Sequence, residues 1–133
     1  MPHLIIEYSA NLETDIDIQR LVDVAHGAMI AAGPFEVGGI RTRAARRDAY
    51  AIADQHPDNG FVHMSLTIGP GRGDSTTEAA GTSVFDTVAA FLSPLMADHP
   101  IALSFYIFQS QPPFSWKKNN LPAAVAARET NRA

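Results

Sequence analysis

The predicted elements occur twice in the same order, strand–helix–strand, in two halves of roughly 50 residues each. Apolar residues define a strand at 2–8, a helix at about 15–32, a strand at about 40–53, a strand at 61–68, a helix at about 75–97 and a strand at 101–108. Because β-α-β crossovers are right-handed, two such units place both helices on one face of a sheet. The sequence therefore predicts an α+β fold, with a duplicated β-α-β unit, a four-stranded mixed sheet and two helices on one face.

Turn and capping residues set the predicted ends of the helices. Thr14 or Asp15 is expected to cap the first helix. The Gly33-Pro34 pair is expected to end it, since glycine takes up left-handed backbone and proline cannot continue a helix. Ser75 and Glu78 have the spacing of a capping box at the start of the second helix.

The last predicted strand, 101–108, is apolar on both faces, so we expect it to be central in the sheet or at an interface. Apolar residues lie on both sides of the other strands as well, and the face without helices then needs cover. We expect further copies of the chain to supply that cover, which predicts an oligomer. One domain is expected over residues 1–120, followed by a partly disordered C-terminal tail at 121–133.

Composition argues against several classes of function. The chain has 133 residues and no cysteine, which excludes disulfides, thiolate catalysis and Cys-based metal sites. The net charge of −4 argues against a nucleic-acid partner. No apolar run approaches the roughly 20 residues that span a bilayer, and the first residues do not form a signal peptide, so we expect a cytoplasmic protein without a membrane partner. The five histidines are scattered without ligand spacing, and we predict no metal site.

The amino terminus contains the first candidate for chemistry. Pro2 stands at the first residue of a strand, where proline is tolerated although it cannot donate to the sheet. If Met1 is removed, Pro2 carries a free secondary amine in a fixed direction, and such an amine is a general base once it has lost its proton. Nearby guanidinium groups and apolar surroundings both favour loss of that proton. The alternative is that Pro2 only begins an edge strand.

Two arginines complete the candidate site. Arg41 lies at one end of the second predicted strand, and Arg72 lies in a glycine-rich turn after the third. Guanidinium groups bind carboxylates through paired hydrogen bonds and stabilise charge on an enolate oxygen. An amine base with cations that hold an anion indicates proton transfer next to a carbonyl, as in a tautomerase or isomerase. The sequence alone does not bring Pro2, Arg41 and Arg72 together; contact between subunits is one way to do so.

Other conspicuous residues are interpreted without a catalytic role. Arg46 and Arg47 are expected on a solvated strand face. The Gly69–Gly73 turn resembles an anion cradle but lacks the lysine and spacing of a nucleotide-binding P-loop. Phe114 and Trp116 could wall a site, although packing over the core is slightly favoured.

The chain resembles the 5-carboxymethyl-2-hydroxymuconate delta-isomerase family of the tautomerase superfamily. The resemblance extends from Pro2 to Asn120, and its most specific part is Phe61–Arg72. The other matching stretches are Pro2-His3, Ile6-Glu7, Ala32-Gly33, Gly39–Arg43, Ala53-Asp54, Ala102–Phe105 and Lys118–Asn120.

This resemblance implies a tautomerase-like homotrimer with active sites near subunit interfaces, no cofactor and no metal. It implies that Pro2 is the proton-transferring base and that Arg41 and Arg72 bind the substrate and act as electrophiles. The implied substrate is a polycarboxylated dienol from homoprotocatechuate breakdown, a route of aromatic compound catabolism. Its proton leaves the 2-hydroxyl side and returns at a distal carbon, which produces an unsaturated ketone.

Two alternatives stay open at this point. One is a non-enzymatic binding or signalling protein on the same fold, because fold does not determine function. The other is a tautomerase for a different enol acid, because the chain departs from the family pattern at Ala10, 44–47, 110–116 and beyond Leu121.

Overall fold

A computed structural model describes residues 1–132 of the chain. Its four strands are β1 (His3–Ser9), β2 (Arg41–Arg47), β3 (Gly60–Ile68) and β4 (Ile101–Gln109). Its α-helices are α1 (Ile18–Ala32), α2 (Asp74–Met96) and α3 (Leu121–Arg132). Two short 3-10 helices, Ala10–Thr14 and Val37–Gly39, follow β1 and α1 respectively.

The strands form a single sheet in the order β2-β1-β3-β4. The outer pairs, β1 with β2 and β3 with β4, are parallel, whereas the central pair of β1 and β3 is antiparallel. Each half of the chain therefore forms one β-α-β unit, and the two units join along β1 and β3. The predicted α+β fold, with its duplicated unit and four-stranded mixed sheet, is confirmed.

The core lies between one face of this sheet and helices α1 and α2. Alternate residues of β1 and β3 are buried, the period expected of strands with one covered face. The largest fully buried side chains are Leu4, Ile6, Val62, Met64, Leu66 and Ile68 from the strands and Leu21, Met29, Val84, Val88 and Leu92 from the helices. Both helices cover the same face, as predicted.

The opposite face of the sheet is only partly covered in a single chain. Tyr106 and Phe108 of β4 point to this face, where their side chains are 59% and 52% exposed. The ring of Tyr106 packs edge-on against His63, with centroids 4.9 Å apart, and edge-on against Phe108. We expect other copies of the chain to cover this partly apolar face, and that expectation stays a prediction.

Strand β4 is an edge strand, so the first of the two predicted positions, central in the sheet, is wrong, and a position at an interface stays a prediction. Among residues 1–132 its ladder partner is β3 alone. Its apolar residues on both faces, which suggested a central place, are mostly half-buried rather than buried. Strand β2 is also shorter than predicted. It ends at Arg47 because that residue pairs with Ser9, where β1 ends and offers no further ladder partner.

The first helix begins later than predicted and has a different cap. The segment Ala10–Thr14 forms a separate 3-10 helix, and α1 begins at Ile18. The side chain of Asp17, not Thr14 or Asp15, accepts a hydrogen bond from the amide of Arg20. The other end agrees with the prediction, since α1 ends at Ala32 and Gly33 follows as the C-cap with a φ of 101°.

The second helix begins without the predicted capping box. Gly73 occupies the N-cap position with a φ of 77°, and no side chain caps the helix there. Ser75 and Glu78 lie inside the helix instead. The hydroxyl of Thr77 donates a 2.8 Å hydrogen bond to the carbonyl oxygen of Gly73. By length and composition alone α2 could cross a membrane, but core helices pass the same test, and its residues Ala80, Gly81, Val84, Val88 and Leu92 are buried against the sheet.

The C-terminal segment docks onto the first half of the chain. We predict a partly disordered tail over 121–133; the structure has helix α3 at Leu121–Arg132, and Ala133 lies outside the described residues. Helix α3 packs against the 3-10 helix Val37–Gly39. The Nδ2 of Asn119 donates a 3.0 Å hydrogen bond to the carbonyl oxygen of Gly38, and this bond fixes the chain just before α3.

Candidate active site

The sheet brings the three predicted site residues to one of its ends within a single chain. His3, which follows Pro2, pairs with Arg41 in the parallel ladder and with Thr67 in the antiparallel ladder. The starts of β1 and β2 therefore lie beside the end of β3, from which the chain continues into the turn that contains Arg72. Sequence reasoning could not bring these residues together because the strand order was unknown.

Pro2 is held tightly at this end. Pro2 is buried, and its carbonyl oxygen accepts a 3.0 Å hydrogen bond from the amide of Arg41. The ring Cδ of Pro2 lies 3.5 Å from the point that a Cβ at Gly39 would occupy. The buried backbone at Gly39 therefore packs against the proline ring, and the direction of the first peptide units is fixed.

Each of the two predicted arginines is anchored to backbone carbonyls. The Nη1 of Arg41 donates to the carbonyl oxygen of Gly39 at 2.9 Å. Arg72 donates from Nε to Pro34 at 3.3 Å and from Nη1 to Gly69 at 3.2 Å. A guanidinium has five N–H donors, so these bonds orient each group and leave other donors for an anion.

An aromatic ring also supports Arg72. Its Cζ lies 5.2 Å from the ring centroid of Phe35, within the range of a cation–π interaction. Phe35 is almost fully buried, so its ring is a rigid platform. The turn around Arg72 contains positive-φ glycines on both sides, Gly71 and Gly73. This backbone lets the chain reverse between β3 and α2, with the guanidinium returned toward the sheet.

The terminal amine lies in a cationic environment. Burial, then the positive charge and a hydrogen bond of Lys117, then the charges of Arg72 and Arg41, lower the pKa of the Met1 amine from its ordinary value. Each of these causes disfavours an ammonium ion at this position. Sequence reasoning missed Lys117, because no local pattern indicates that a residue so far along the chain returns to the amino terminus.

A histidine and a further arginine border this cluster. The Nη1 of Arg43 lies 3.1 Å from Nδ1 of His3, and because a guanidinium can only donate, Nδ1 is the acceptor. Burial and the charges of Arg43, Arg41 and the amino terminus lower the pKa of His3. His3 is therefore a neutral imidazole beside the cationic groups at neutral pH.

The residues without a predicted role lie elsewhere. Arg46 forms ion pairs with Glu13 and Asp48, and Arg47 pairs with Glu7, all on exposed or half-buried side chains, as expected of a solvated face. Within residues 1–132, no group of three or more His, Asp or Glu side chains is placed to hold a metal ion.

Phe114 and Trp116 do not cover the core. Their side chains are 75% and 84% exposed in the single chain, so packing within the chain, which the sequence slightly favoured, is wrong. Both belong to the segment that leads to Lys117. Because they precede Lys117 closely in the sequence and are exposed, they are candidates for the wall of a site or for contact with another subunit.

Comparison with known proteins assigns the family. A model of 5-carboxymethyl-2-hydroxymuconate isomerase matches residues 2–125. The 5-carboxymethyl-2-hydroxymuconate Delta-isomerase of Escherichia coli is 35% identical over 123 residues, which cover 92% of this chain and 98% of that protein. The crystal structure of a 5-carboxymethyl-2-hydroxymuconate isomerase from Deinococcus radiodurans R1 is 36% identical, has a TM-score of 0.86 and covers 93% of both chains.

More distant structures share the fold alone. A fused 4-OT described as a symmetric trimer has a TM-score of 0.61 at 14% identity, with 92% of this chain covered. The prediction of an enzyme, rather than a non-enzymatic binding protein, is confirmed by the closer relatives. The chain belongs to the 5-carboxymethyl-2-hydroxymuconate isomerase family and is an isomerase.

Proposed function

We propose that this protein moves a proton within a carboxylated dienol of the 5-carboxymethyl-2-hydroxymuconate type, with the amine of Pro2 as the general base and with no cofactor. The observation that supports this most directly is the position of the terminal amine, which shares one end of the sheet with Arg41 and Arg72. The family relatives carry this substrate in their names. On this proposal the enzyme belongs to homoprotocatechuate breakdown in the cytoplasm.

The proposed reaction is a proton shuttle with no net gain or loss of atoms. The nitrogen of Pro2 takes the proton of the 2-hydroxyl group, and electron density moves through the conjugated system as the C=O bond forms. The resulting ammonium returns the proton to a distal carbon, which leaves an unsaturated ketone. Arg41 and Arg72 bind carboxylates and stabilise the enolate oxygen, because charge-assisted hydrogen bonds to an anion are strong.

This role requires the removal of Met1. While Met1 is attached, the nitrogen of Pro2 is an amide and has no basic lone pair. The amine of Met1 stands one residue away and reports the electrostatic surroundings of this end of the chain: burial and three cations lower its pKa. On this proposal the same groups lower the pKa of the Pro2 amine, which favours the unprotonated form that a general base needs.

We also propose that the working form is a homotrimer. The partly exposed face with Tyr106 and Phe108 and the exposed side chains of Phe114 and Trp116 support burial by other copies. In the single chain Met1, Arg41 and Arg72 are half-buried and Lys117 is exposed, so the cationic cluster is partly open to solvent. Walls from a neighbouring subunit would close it, and an analytical ultracentrifugation run tests the assembly directly.

The test of the base compares two forms of the protein whose intact masses are checked. One is the chain that begins at Pro2. The other has one alanine inserted before Pro2, so that the proline nitrogen is an amide within the same fold. General acid–base catalysis contributes roughly 10²- to 10⁴-fold, and we expect the insertion to lower kcat/KM for 5-carboxymethyl-2-hydroxymuconate by that factor. Equal activity of the two forms would remove Pro2 from the mechanism.

A further inference from the structure

A third cation reaches the proposed site from the C-terminal part of the chain. The Nζ of Lys117 lies 3.7 Å from the point that a Cβ at Gly69 would occupy, and Lys117 is among the groups that lower the pKa of the Met1 amine. The carbonyl oxygen of Gly69 also accepts the hydrogen bond from Arg72. Arg72 therefore bonds to the backbone of Gly69, and the Nζ of Lys117 lies close to the same residue, two positions beyond Thr67, the ladder partner of His3.

The segment that carries Lys117 is fixed at both ends. At its start, the amide of Ser110 donates a 2.8 Å hydrogen bond to the carbonyl oxygen of Ile68, which extends the ladder of β3 and β4. At its end, the side chain of Asn119 bonds to the carbonyl oxygen of Gly38, two residues after Lys117. The backbone therefore holds Lys117 at this end of the sheet.

Lys117 has no structural ion pair to explain its place. The ion pairs found within residues 1–132 involve Arg46, Arg47, His56 and His99, and none involves Lys117. The charges that act on the Met1 amine are all positive: Lys117 from this segment, Arg72 from the turn after β3 and Arg41 from β2. His3 and Arg43, from β1 and β2, lie next to them.

We propose that Lys117 is a further catalytic residue of this enzyme, whose ammonium group contacts the Pro2 amine and keeps it unprotonated before it accepts the substrate proton. This inference rests on the proposed role of Pro2 as the base. Two positive charges in contact repel each other, so the amine gives up its proton more readily than the lysine, whose ordinary pKa is higher.

The sign of the pH effect follows from this arrangement. If the positive charge beside the amine is removed, the amine holds its proton up to a higher pH. In a plot of kcat/KM against pH, the acidic limb is the part where activity rises as the base loses its proton. This limb then moves to higher pH. At pH values above that limb the amine is unprotonated both in the parent protein and in a variant without the positive charge, so most of the difference in activity between the two disappears. Loss of a purely structural contact would lower activity at every pH and would leave the limb in place.

The experiment measures kcat/KM for 5-carboxymethyl-2-hydroxymuconate against pH in the chain that begins at Pro2. The variants are Lys117→Met, Lys117→Arg, and Lys118→Met as the matched control, since Lys118 is the adjacent lysine, is exposed like Lys117 and does not act on the amine. We expect Lys117→Met to move the acidic limb up by about one pH unit and to cost about 10-fold in activity below it. Lys117→Arg and Lys118→Met should keep the limb of the parent protein.

Three outcomes decide the matter, with thermal unfolding used to confirm that each variant is folded. A limb that moves only in Lys117→Met supports the proposal. An unchanged limb in Lys117→Met, or an equal shift in Lys118→Met, overturns it. The insertion before Pro2 separates this inference from the proposed function: if the inserted form is inactive while Lys117→Met keeps the limb of the parent, only the role of Lys117 is wrong.

Discussion

The backbone amide of Arg41 donates a 3.0 Å hydrogen bond to the carbonyl oxygen of Pro2. The parallel ladder of β1 and β2 continues from this bond, with His3 opposite Arg41. The proposed base and one proposed cation are thus held side by side by main-chain atoms. Because side chains do not make this connection, substitution of the guanidinium removes a charge and its donors while the backbone at the site stays in place.

Truncation of either arginine is predicted to impair catalysis much more than folding. A hydrogen bond to a charged group is worth about 1.5–3 kcal/mol, so Arg41→Ala and Arg72→Ala should each lower kcat/KM by roughly 10- to 150-fold. The measurement is steady-state kinetics with 5-carboxymethyl-2-hydroxymuconate. If a variant keeps the kinetics of the parent, its arginine does not bind the substrate.

A matched control for these variants is Arg47→Ala. Arg47 is in β2 as well, but its Nε pairs with Glu7 at 3.0 Å on an exposed face, away from the amine. Exposed ion pairs contribute about 0–1 kcal/mol to stability. We expect Arg47→Ala to keep kcat/KM within about twofold, since an exposed ion pair of this kind adds little. A loss as large as that of Arg41→Ala would mean that net charge, and not position, controls activity.

The sequence predicts the fold and the residues of the candidate site, but it does not predict how they meet. Alternation and helical spacing define the strands and the two core helices, because burial on one face imposes those periods. The site depends instead on strand order, in which β1 lies between β2 and β3 and so brings Arg41 and the turn of Arg72 to the amino terminus. No sequence pattern identifies Lys117 as a site residue for the same reason, since a long-range hydrogen bond from Asn119 to Gly38 determines the position of its segment.

Local misassignments have equally specific causes. The Ser75 and Glu78 pattern of a capping box is present, but Gly73 with its positive φ starts helix α2 earlier. The apolar character of 101–108 suggested a strand that is central or at an interface; β4 lies at the edge of the sheet with Tyr106 and Phe108 exposed, so only the interface remains as a prediction. The start of α2 and the position of β4 in the sheet both depend on tertiary structure, which short-range sequence patterns do not contain.

A buried tyrosine is predicted to make stability depend on pH in the alkaline range. The hydroxyl of Tyr8 donates a 2.6 Å hydrogen bond to Oε1 of Glu13. Burial and this carboxylate raise the pKa of Tyr8 above its ordinary value of 10.0, although the charge of Arg46 acts in the opposite direction. Because the folded state holds this proton more tightly, the stabilisation is complete below pH 10 and is lost as pH rises through the raised pKa.

The test is Tyr8→Phe, with chemical denaturation at pH 7 and above pH 10. The free energy of unfolding should fall by about 1 kcal/mol at pH 7, because one hydrogen bond is lost. The alkaline decrease in stability should be smaller than in the parent protein. Tyr50→Phe is the control, since Tyr50 is 40% exposed and should change neither quantity by more than about 0.5 kcal/mol. An unchanged alkaline decrease in Tyr8→Phe would contradict the assignment.

Close packing of the C-terminal helix is predicted to make Gly38 intolerant of a side chain. A Cβ at Gly38 would lie 2.6 Å from the Cα of Pro122, and backbone at that distance cannot move aside without displacing helix α3. Overpacking of this kind costs about 1–3 kcal/mol, so Gly38→Ala should loosen α3 and the segment anchored by Asn119. Limited proteolysis of the C-terminal segment and denaturant unfolding measure the two effects.

Gly27→Ala is the matched control for Gly38→Ala: the same methyl group is added, but we expect stability to rise rather than fall. Gly27 lies inside helix α1, and a Cβ there would meet no atom within 4 Å. Alanine is favoured over glycine in a helix by roughly 0.5–1 kcal/mol, so this variant should be more stable than the parent. If Gly38→Ala is as stable and as resistant to protease as Gly27→Ala, the contact of Pro122 with Gly38 does not hold α3.

The number of cations at the site is predicted to select the substrate. A 5-carboxymethyl-2-hydroxymuconate carries three carboxylates, whereas the enol of phenylpyruvate carries one, and each additional charge-assisted hydrogen bond is worth about 1.5–3 kcal/mol. We therefore expect kcat/KM for the tricarboxylate to exceed that for the phenylpyruvate enol by at least about 100-fold, from two further contacts at the lower end of that range. Arg72→Ala should narrow this ratio because it removes one anion site. If phenylpyruvate enol is the better substrate in the parent protein, the protein is a tautomerase for a different enol acid, and the cationic cluster serves the base more than the binding of carboxylates.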